Sequence, residues 1–125
     1  MIVDDEPAIC AMLATVLQDE GYAAVAVHSG AEALDRAPRE RPDVFLIDVM
    51  MPGMDGRTLA ARLRAHPELP PTPVIMMSAA VRAFAGQPGV VDFLAKPFDL
   101  DLLLDCLERA VRGASGGDRP TDLPS

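Results

Sequence analysis

Alternation along the chain predicts an α/β fold in which a parallel sheet carries helices on both faces. Short apolar runs alternate with stretches of helical period, and almost every run stops at a polar residue. The 125 residues are 50% apolar and 24% charged, which suits one domain with its own core.

Strands are predicted at 1–4, 22–27, 43–48, 73–78 and 91–95. Ile9, Leu13, Val16 and Leu17 recur at helical spacing, as do Leu100, Leu103, Leu104, Leu107 and Val111, so each set predicts an amphipathic helix. Ser29 followed by Glu32 has the form of a capping box opening a helix at about 30–38. Asp55-Gly56 opens another over 56–65, which His66-Pro67 ends. Residues 113–125 hold no apolar periodicity and are expected to form a flexible tail after a domain spanning 1–112.

Charge narrows the function classes. Eleven basic residues against nineteen acidic ones give a net charge of −8, which argues against direct nucleic-acid binding or an anionic membrane surface as partner. The apolar runs Val44–Ile47 and Val74–Met77 fall far short of the roughly 18 residues of a membrane span. Acids at Asp4 and Asp5 stand where a signal peptide needs basic and then apolar residues. Cys10 and Cys106 lie far apart without CxxC spacing, as expected for buried thiols in a reducing cytoplasm.

Ligands of an open parallel α/β sheet bind beyond the C-terminal ends of the strands. There the sequence puts Asp4-Asp5, Asp48, Ser78 and Lys96. Three carboxylates brought together repel unless a cation sits among them, and Mg²⁺ fits because it takes oxygen ligands and keeps several waters. With that charge balanced, a carboxylate can attack a phosphoryl group, and Asp48 is the candidate nucleophile. Lys96 would then balance the phosphoryl oxygens and Ser78 would hydrogen-bond one of them.

Each residue also has a plainer use. Asp4 and Asp5 could cap the helix that begins near Glu6-Pro7, Asp48 could open the Pro52-Gly53 turn, Ser78 could be an N-cap and Lys96 a surface lysine. Their joint appearance at four strand ends favours the site. Phe93 belongs to the core whatever else it does. Met50, Met51 and Met54 lack a nearby histidine or cysteine and are expected to be gap fillers or exposed apolar residues rather than a soft-metal site. His28 and His66 receive no phosphotransfer role, and the glycines at 113, 116 and 117 lack the flanking strand and helix of a phosphate cradle.

Ile2-Val3-Asp4-Asp5-Glu6-Pro7, Leu46-Ile47-Asp48-Val49-Met50-Met51-Pro52-Gly53-Met54-Asp55-Gly56, Ser78-Ala79 and Lys96-Pro97-Phe98, in this order, resemble a bacterial response-regulator receiver domain over about residues 1–112. The resemblance implies a flavodoxin-like, doubly wound five-stranded sheet of order 2-1-3-4-5. It implies that Asp48 accepts phosphate from a histidine kinase or phosphotransfer protein, and that Asp5, Asp48 and the Met50 backbone carbonyl hold Mg²⁺ with Asp4 assisting. Ser78 and Phe93 would be the switch pair, and Lys96-Pro97 a cis peptide. A downstream protein would read the change on a surface made by the last strand and the helices flanking it.

Several features depart from the family's pattern. Only three residues precede Asp4, so the first strand is short. Eighteen positions separate Ser78 from Lys96, fewer than is usual, and they hold Gly86, Pro88 and Gly89, so the intervening helix is expected to be short or irregular. That leaves the oligomeric state open. Met50 and Ala80 stand where neither side chain orients a water well, which implies slow self-dephosphorylation. The leading expectation is a phosphorylation-dependent switch rather than an enzyme. An aspartate-nucleophile phosphohydrolase would need a second acid in place of Met50 and room for a substrate cap. A degenerate receiver that binds a partner without phosphate is the alternative.

Overall fold

The structure is a computed structural model that describes residues 1–78 and 86–116. Five parallel strands form one sheet: β1 (Ile2–Val3), β2 (Ala26–Val27), β3 (Phe45–Asp48), β4 (Val74–Ser78) and β5 (Val90–Ala95), in spatial order β2-β1-β3-β4-β5. The described helices are α1 (Pro7–Asp19), α2 (Gly30–Glu40), α3 (Gly56–Ala65) and α4 (Leu100–Gly116). None of them is long and apolar enough to cross a membrane. This is the flavodoxin-like arrangement.

Successive strand residues point to opposite faces, and the core divides accordingly. Ile2, Leu46, Ile75 and Met77 pack with Leu13 and Leu17 of α1 and Leu103 and Leu107 of α4. Val3, Phe45, Ile47, Val74 and Met76 pack with Ala33 and Ala37 of α2 and Leu59 and Leu63 of α3. Because β3 and β4 are buried on both sides, they read as unbroken apolar runs rather than alternating ones.

The strands on one side of the sheet are shorter than predicted. β1 spans two residues rather than 1–4, and it pairs Ile2 with Ala26 and Val3 with Val27, so β2 keeps only those partners instead of 22–27. Upstream, Gly21 at φ +92° and a bond from Tyr22 N to the Leu17 carbonyl close α1, which takes Tyr22 out of the ladder. β3 begins at Phe45 rather than at 43, while the Val44 carbonyl accepts from the Met1 amine. β5 starts one residue earlier than expected and carries a bulge, since Val74 pairs with Val90 but Ile75 with Asp92.

Helix ends follow their capping residues. Ser29 Oγ accepts from Glu32 N at 3.1 Å, and the Glu32 carboxylate returns to His28 N, one residue before the cap itself. α2 runs to Glu40 past Pro38, and Arg41 in the left-handed region closes it. Asp55 Oδ1 caps α3 through Thr58 N at 2.8 Å. α4 continues to Gly116, beyond the predicted boundary at 112. The predicted short helix after Ser78, with Ala80, and the tail from 117 onward lie outside the described residues.

Candidate functional site

The C-terminal ends of β1, β3, β4 and β5 bring the predicted residues to one edge of the sheet. Asp4 is fully buried, Asp48 and Ser78 are nearly so, and Asp5 is half-buried. One carboxylate oxygen from each of Asp4, Asp5 and Asp48 lies within 4.8 Å of the others. Lys96 reaches in from the end of β5, with Nζ 2.8 Å from Asp4 Oδ2 and 3.5 Å from Asp48 Oδ1. Glu6, largely exposed, stands 3.7 Å from the same ammonium.

Local bonds aim these groups. Asp4 Oδ1 accepts from Glu6 N at 2.9 Å, so Asp4 also makes the turn into α1, while the N-cap residue Glu6 has no side-chain cap bond. The Cys10 thiol donates to the Asp4 carbonyl at 3.3 Å and steadies the end of β1 from below. Met50 N donates to Asp48 Oδ1 at 3.4 Å, an Asx-like turn just ahead of the Pro52-Gly53 turn that the sequence offered as the plainer use of Asp48. Met50 is 73% exposed beside the buried carboxylate. Lys96 N donates to the Ser78 carbonyl at 2.9 Å, and the Lys96-Pro97 peptide is cis. Ser78 pairs with Ala95 and Met76 with Phe93, so Ser78 and Phe93 project from the same face of adjacent strands, one pleat apart.

Electrostatics mark Asp48 as the strained acid. Burial, and then the Asp4 charge, push its carboxyl above the ordinary range, and Lys96 and the Met50 amide only partly offset them. Burial disfavours the Lys96 ammonium, but the Asp4 hydrogen bond and the charges of Asp4 and Asp48 outweigh it, so Lys96 is held more firmly protonated than usual. The Cys10 thiol is pushed up to about 11 by burial and by Asp4, which makes it a packing group rather than a nucleophile.

Three acids against one lysine leave excess negative charge in a partly open pocket, and all the side-chain donors of the cluster are hard carboxylate oxygens. That set fits Mg²⁺ and excludes a soft metal.

A family model described as the response regulator receiver domain matches residues 1–108. The chain belongs to this family. Receiver domains are signalling switches. Over 130 residues this one is 38% identical to the DNA-binding transcriptional regulator NtrC of Klebsiella pneumoniae, covering 98% of this chain and 27% of that protein. It is 32% identical over 124 residues to the transcriptional regulatory protein TrcR of Mycobacterium tuberculosis, covering 98% of this chain and 48% of that one. The chain thus spans about a quarter to a half of the length of such relatives. Chemotaxis protein CheY4 of Vibrio cholerae superposes with a TM-score of 0.80 at 34% identity, covering 87% of this chain and 94% of that one. A sensor protein from Polaromonas sp. JS666 gives 0.84 at 31%, covering 90% and 94%.

Three contributors to the receiver site escaped the sequence reading. Glu6 looked like a first-turn acid, yet it faces Lys96. Cys10 looked like a small core residue, yet it holds the Asp4 carbonyl. Gly56 looked like a helix opener, yet a Cβ there would lie 2.4 Å from the Asp48 carbonyl oxygen. Only for Gly56 was a signal present, a glycine placed where the chain turns back towards the strand it has just left.

Proposed function

We propose that this receiver domain is a phosphorylation-dependent switch in which Asp48 is the phosphoacceptor. The observation that carries the reading is the joint placement of Asp48 with Asp4, Asp5 and Lys96 at the sheet edge. The donor would be a phosphohistidine on a histidine kinase or phosphotransfer protein. An Asp48 carboxylate oxygen attacks phosphorus, the P–N bond breaks, and its electron pair leaves on the imidazole nitrogen, which takes up a proton.

Asp4, Asp5 and Asp48, with the Met50 carbonyl, would hold Mg²⁺, which when bound neutralises their charge and that of the transferring phosphoryl oxygens. The residues of the chain do the rest. Lys96 shifts its ammonium from Asp4 towards the new phosphoryl oxygens, and the Ser78 hydroxyl donates to one of them. These contacts exist only in the phosphorylated arrangement and favour it by their differential free energy. Phe93, on the same sheet face as Ser78, follows by turning inward and changes the surface that a downstream protein reads. With Met50 offering no polar group to a hydrolytic water, the phosphoryl group is long-lived.

Intact-protein mass spectrometry after incubation with Mg²⁺ and acetyl phosphate tests the reading. One added phosphoryl group in the wild type, absent from Asp48→Asn and from metal-free samples, is the expected result. A folded wild-type protein that takes up none would leave a phosphate-independent binding module.

A further inference from the structure

Glu6 stands at the mouth of the candidate site with no role in the chemistry of Asp48 described so far. Its main chain is fixed, because Asp4 Oδ1 accepts from Glu6 N at 2.9 Å, and it occupies the N-cap position of α1. Its side chain makes no cap bond, and glutamate is not among the residues that cap well. The carboxylate instead reaches Lys96, with Oε1 3.7 Å from Nζ. With the Glu6 side chain 62% exposed, a pair this loose adds little stability. What remains is its charge.

That charge lies close enough to act on the reacting group. Lys96 Nζ is 3.5 Å from Asp48 Oδ1, and both distances end on the same nitrogen, so Glu6 Oε1 is no more than about 7 Å from Asp48 Oδ1. Two unit charges about 7 Å apart in water interact by about one RT, a factor of about three. The charge also decides the sign of the site. Asp4, Asp5 and Asp48, Lys96 and a divalent cation together come to neutrality, so Glu6 is what leaves the loaded site negative.

We propose, building on the reading of Asp48 as phosphoacceptor, that Glu6 is a specificity-determining residue that ranks phosphoryl donors by their charge. Phosphoramidate, a P–N donor of the class to which a phosphohistidine belongs, has a protonated nitrogen and brings one net negative charge. Acetyl phosphate, an acyl phosphate, brings two. In either case an Asp48 oxygen displaces the leaving group at phosphorus: the P–N bond breaks to release ammonia, or the P–O bond to release acetate. Each negative charge on the donor costs it about threefold in rate, so Glu6 favours the P–N donor by about threefold. The same charge draws a cation into the cluster.

The test follows phosphoryl uptake by intact-protein mass spectrometry at saturating Mg²⁺ and low salt, with each of the two donors, for the wild type, Glu6→Gln and Glu6→Lys. Glu6→Gln should quicken uptake about ninefold from acetyl phosphate and about threefold from phosphoramidate, so that the donor ratio shifts about threefold, and Glu6→Lys should repeat the step. Both shifts should shrink in 1 M salt, where the screening length falls to about 3 Å. Titration calorimetry with Mg²⁺ alone should show each substitution weakening the ion, and thermal unfolding, unchanged for so exposed a side chain, is the control for the fold. A donor ratio that Glu6→Gln leaves unaltered, while Asp48-dependent uptake persists, would overturn the inference and leave the phosphoacceptor reading standing. Equal acceleration of both donors that survives salt would mark a structural effect and overturn it too. No uptake from either donor by the folded wild type would overturn both.

Discussion

Replacing Gly56 with alanine puts a methyl group where the backbone of Asp48 already stands. The added Cβ would lie 2.4 Å from the Asp48 carbonyl oxygen, 2.8 Å from Val49 Cα and 3.0 Å from the Asp48 carbonyl carbon. The first contact is roughly 1 Å inside ordinary van der Waals separation, and no flexible side chain can yield, because all three atoms are backbone. Gly56 N also donates to the Val49 carbonyl at 2.8 Å, so α3 cannot back away without loss of that bond. Overpacking of this kind costs about 1–3 kcal/mol, against a helix-propensity gain of at most about 1 kcal/mol for alanine. The net expectation is a loss of about 2 kcal/mol and a fall in melting temperature of about 10 °C, measured by denaturant and thermal unfolding. Because the clash falls on Asp48, the proposed phosphoacceptor, phosphoryl uptake followed by mass spectrometry should slow as well, by up to about 100-fold for a 1 Å misplacement. Gly113→Ala is the matched control, since a Cβ there meets nothing within 4 Å and should stabilise α4 by up to about 1 kcal/mol. A Gly56→Ala protein as stable as the wild type would refute the reasoning.

Other substitutions probe the charges. Asp48→Asn in metal-free buffer should raise stability at neutral pH. The folded-state pKa of Asp48 is raised, so its stabilising contribution is complete below the unfolded value and lost as pH climbs through the folded one, and the amide removes that loss. Urea unfolding of both proteins at pH 3 and pH 7 reads the difference, which should shrink in acid. Lys96→Met leaves the fully buried Asp4 without its 2.8 Å partner and should cost about 3 kcal/mol in calorimetry, part of it recovered on adding Mg²⁺. Wild-type protein at Mg²⁺ 100-fold above its dissociation constant should gain about 2.7 kcal/mol, a shift that Asp5→Asn reduces. Asp55→Ala removes the α3 cap at a cost of about 1 kcal/mol. Its carboxyl is held low by the Thr58 amide, so this contribution is present above the ordinary carboxylate pKa and fades as acidification passes through the depressed one.

The sheet order was legible only through the resemblance to the receiver family, whereas the meeting of Asp4, Asp5, Asp48, Ser78 and Lys96 at one sheet edge was legible from where the apolar runs end. Val44–Ile47 followed by Asp48, and Val74–Met77 followed by Ser78, announce buried strands and their polar tips without any tertiary information. Strand lengths were not legible. Residues 22–25 have acceptable strand composition, but pairing is a property of two segments, and β1 offers β2 only Ile2 and Val3. The roles of Glu6 and Cys10 were hidden for a related reason. Each contacts a residue whose position depends on the fold, Lys96 from the far end of the chain in one case and a main-chain carbonyl in the other. Gly56 is the intermediate case, because a glycine announces freedom of approach without naming what approaches.

The two-residue length of β1 sets a gradient of cohesion across the sheet. β3, β4 and β5 are joined by four- and five-residue registers, while β2 hangs from the rest through two paired positions. Amides on the β2 side are therefore expected to exchange through local openings, and those of β3 and β4 only through global ones. Asp4 and Asp5 stand at the tip of that short strand, so an ion bound between them and Asp48 would act as a rivet across the weakest seam of the molecule. Loading the site would tighten the β2–α2 margin, far from any direct contact with the ion.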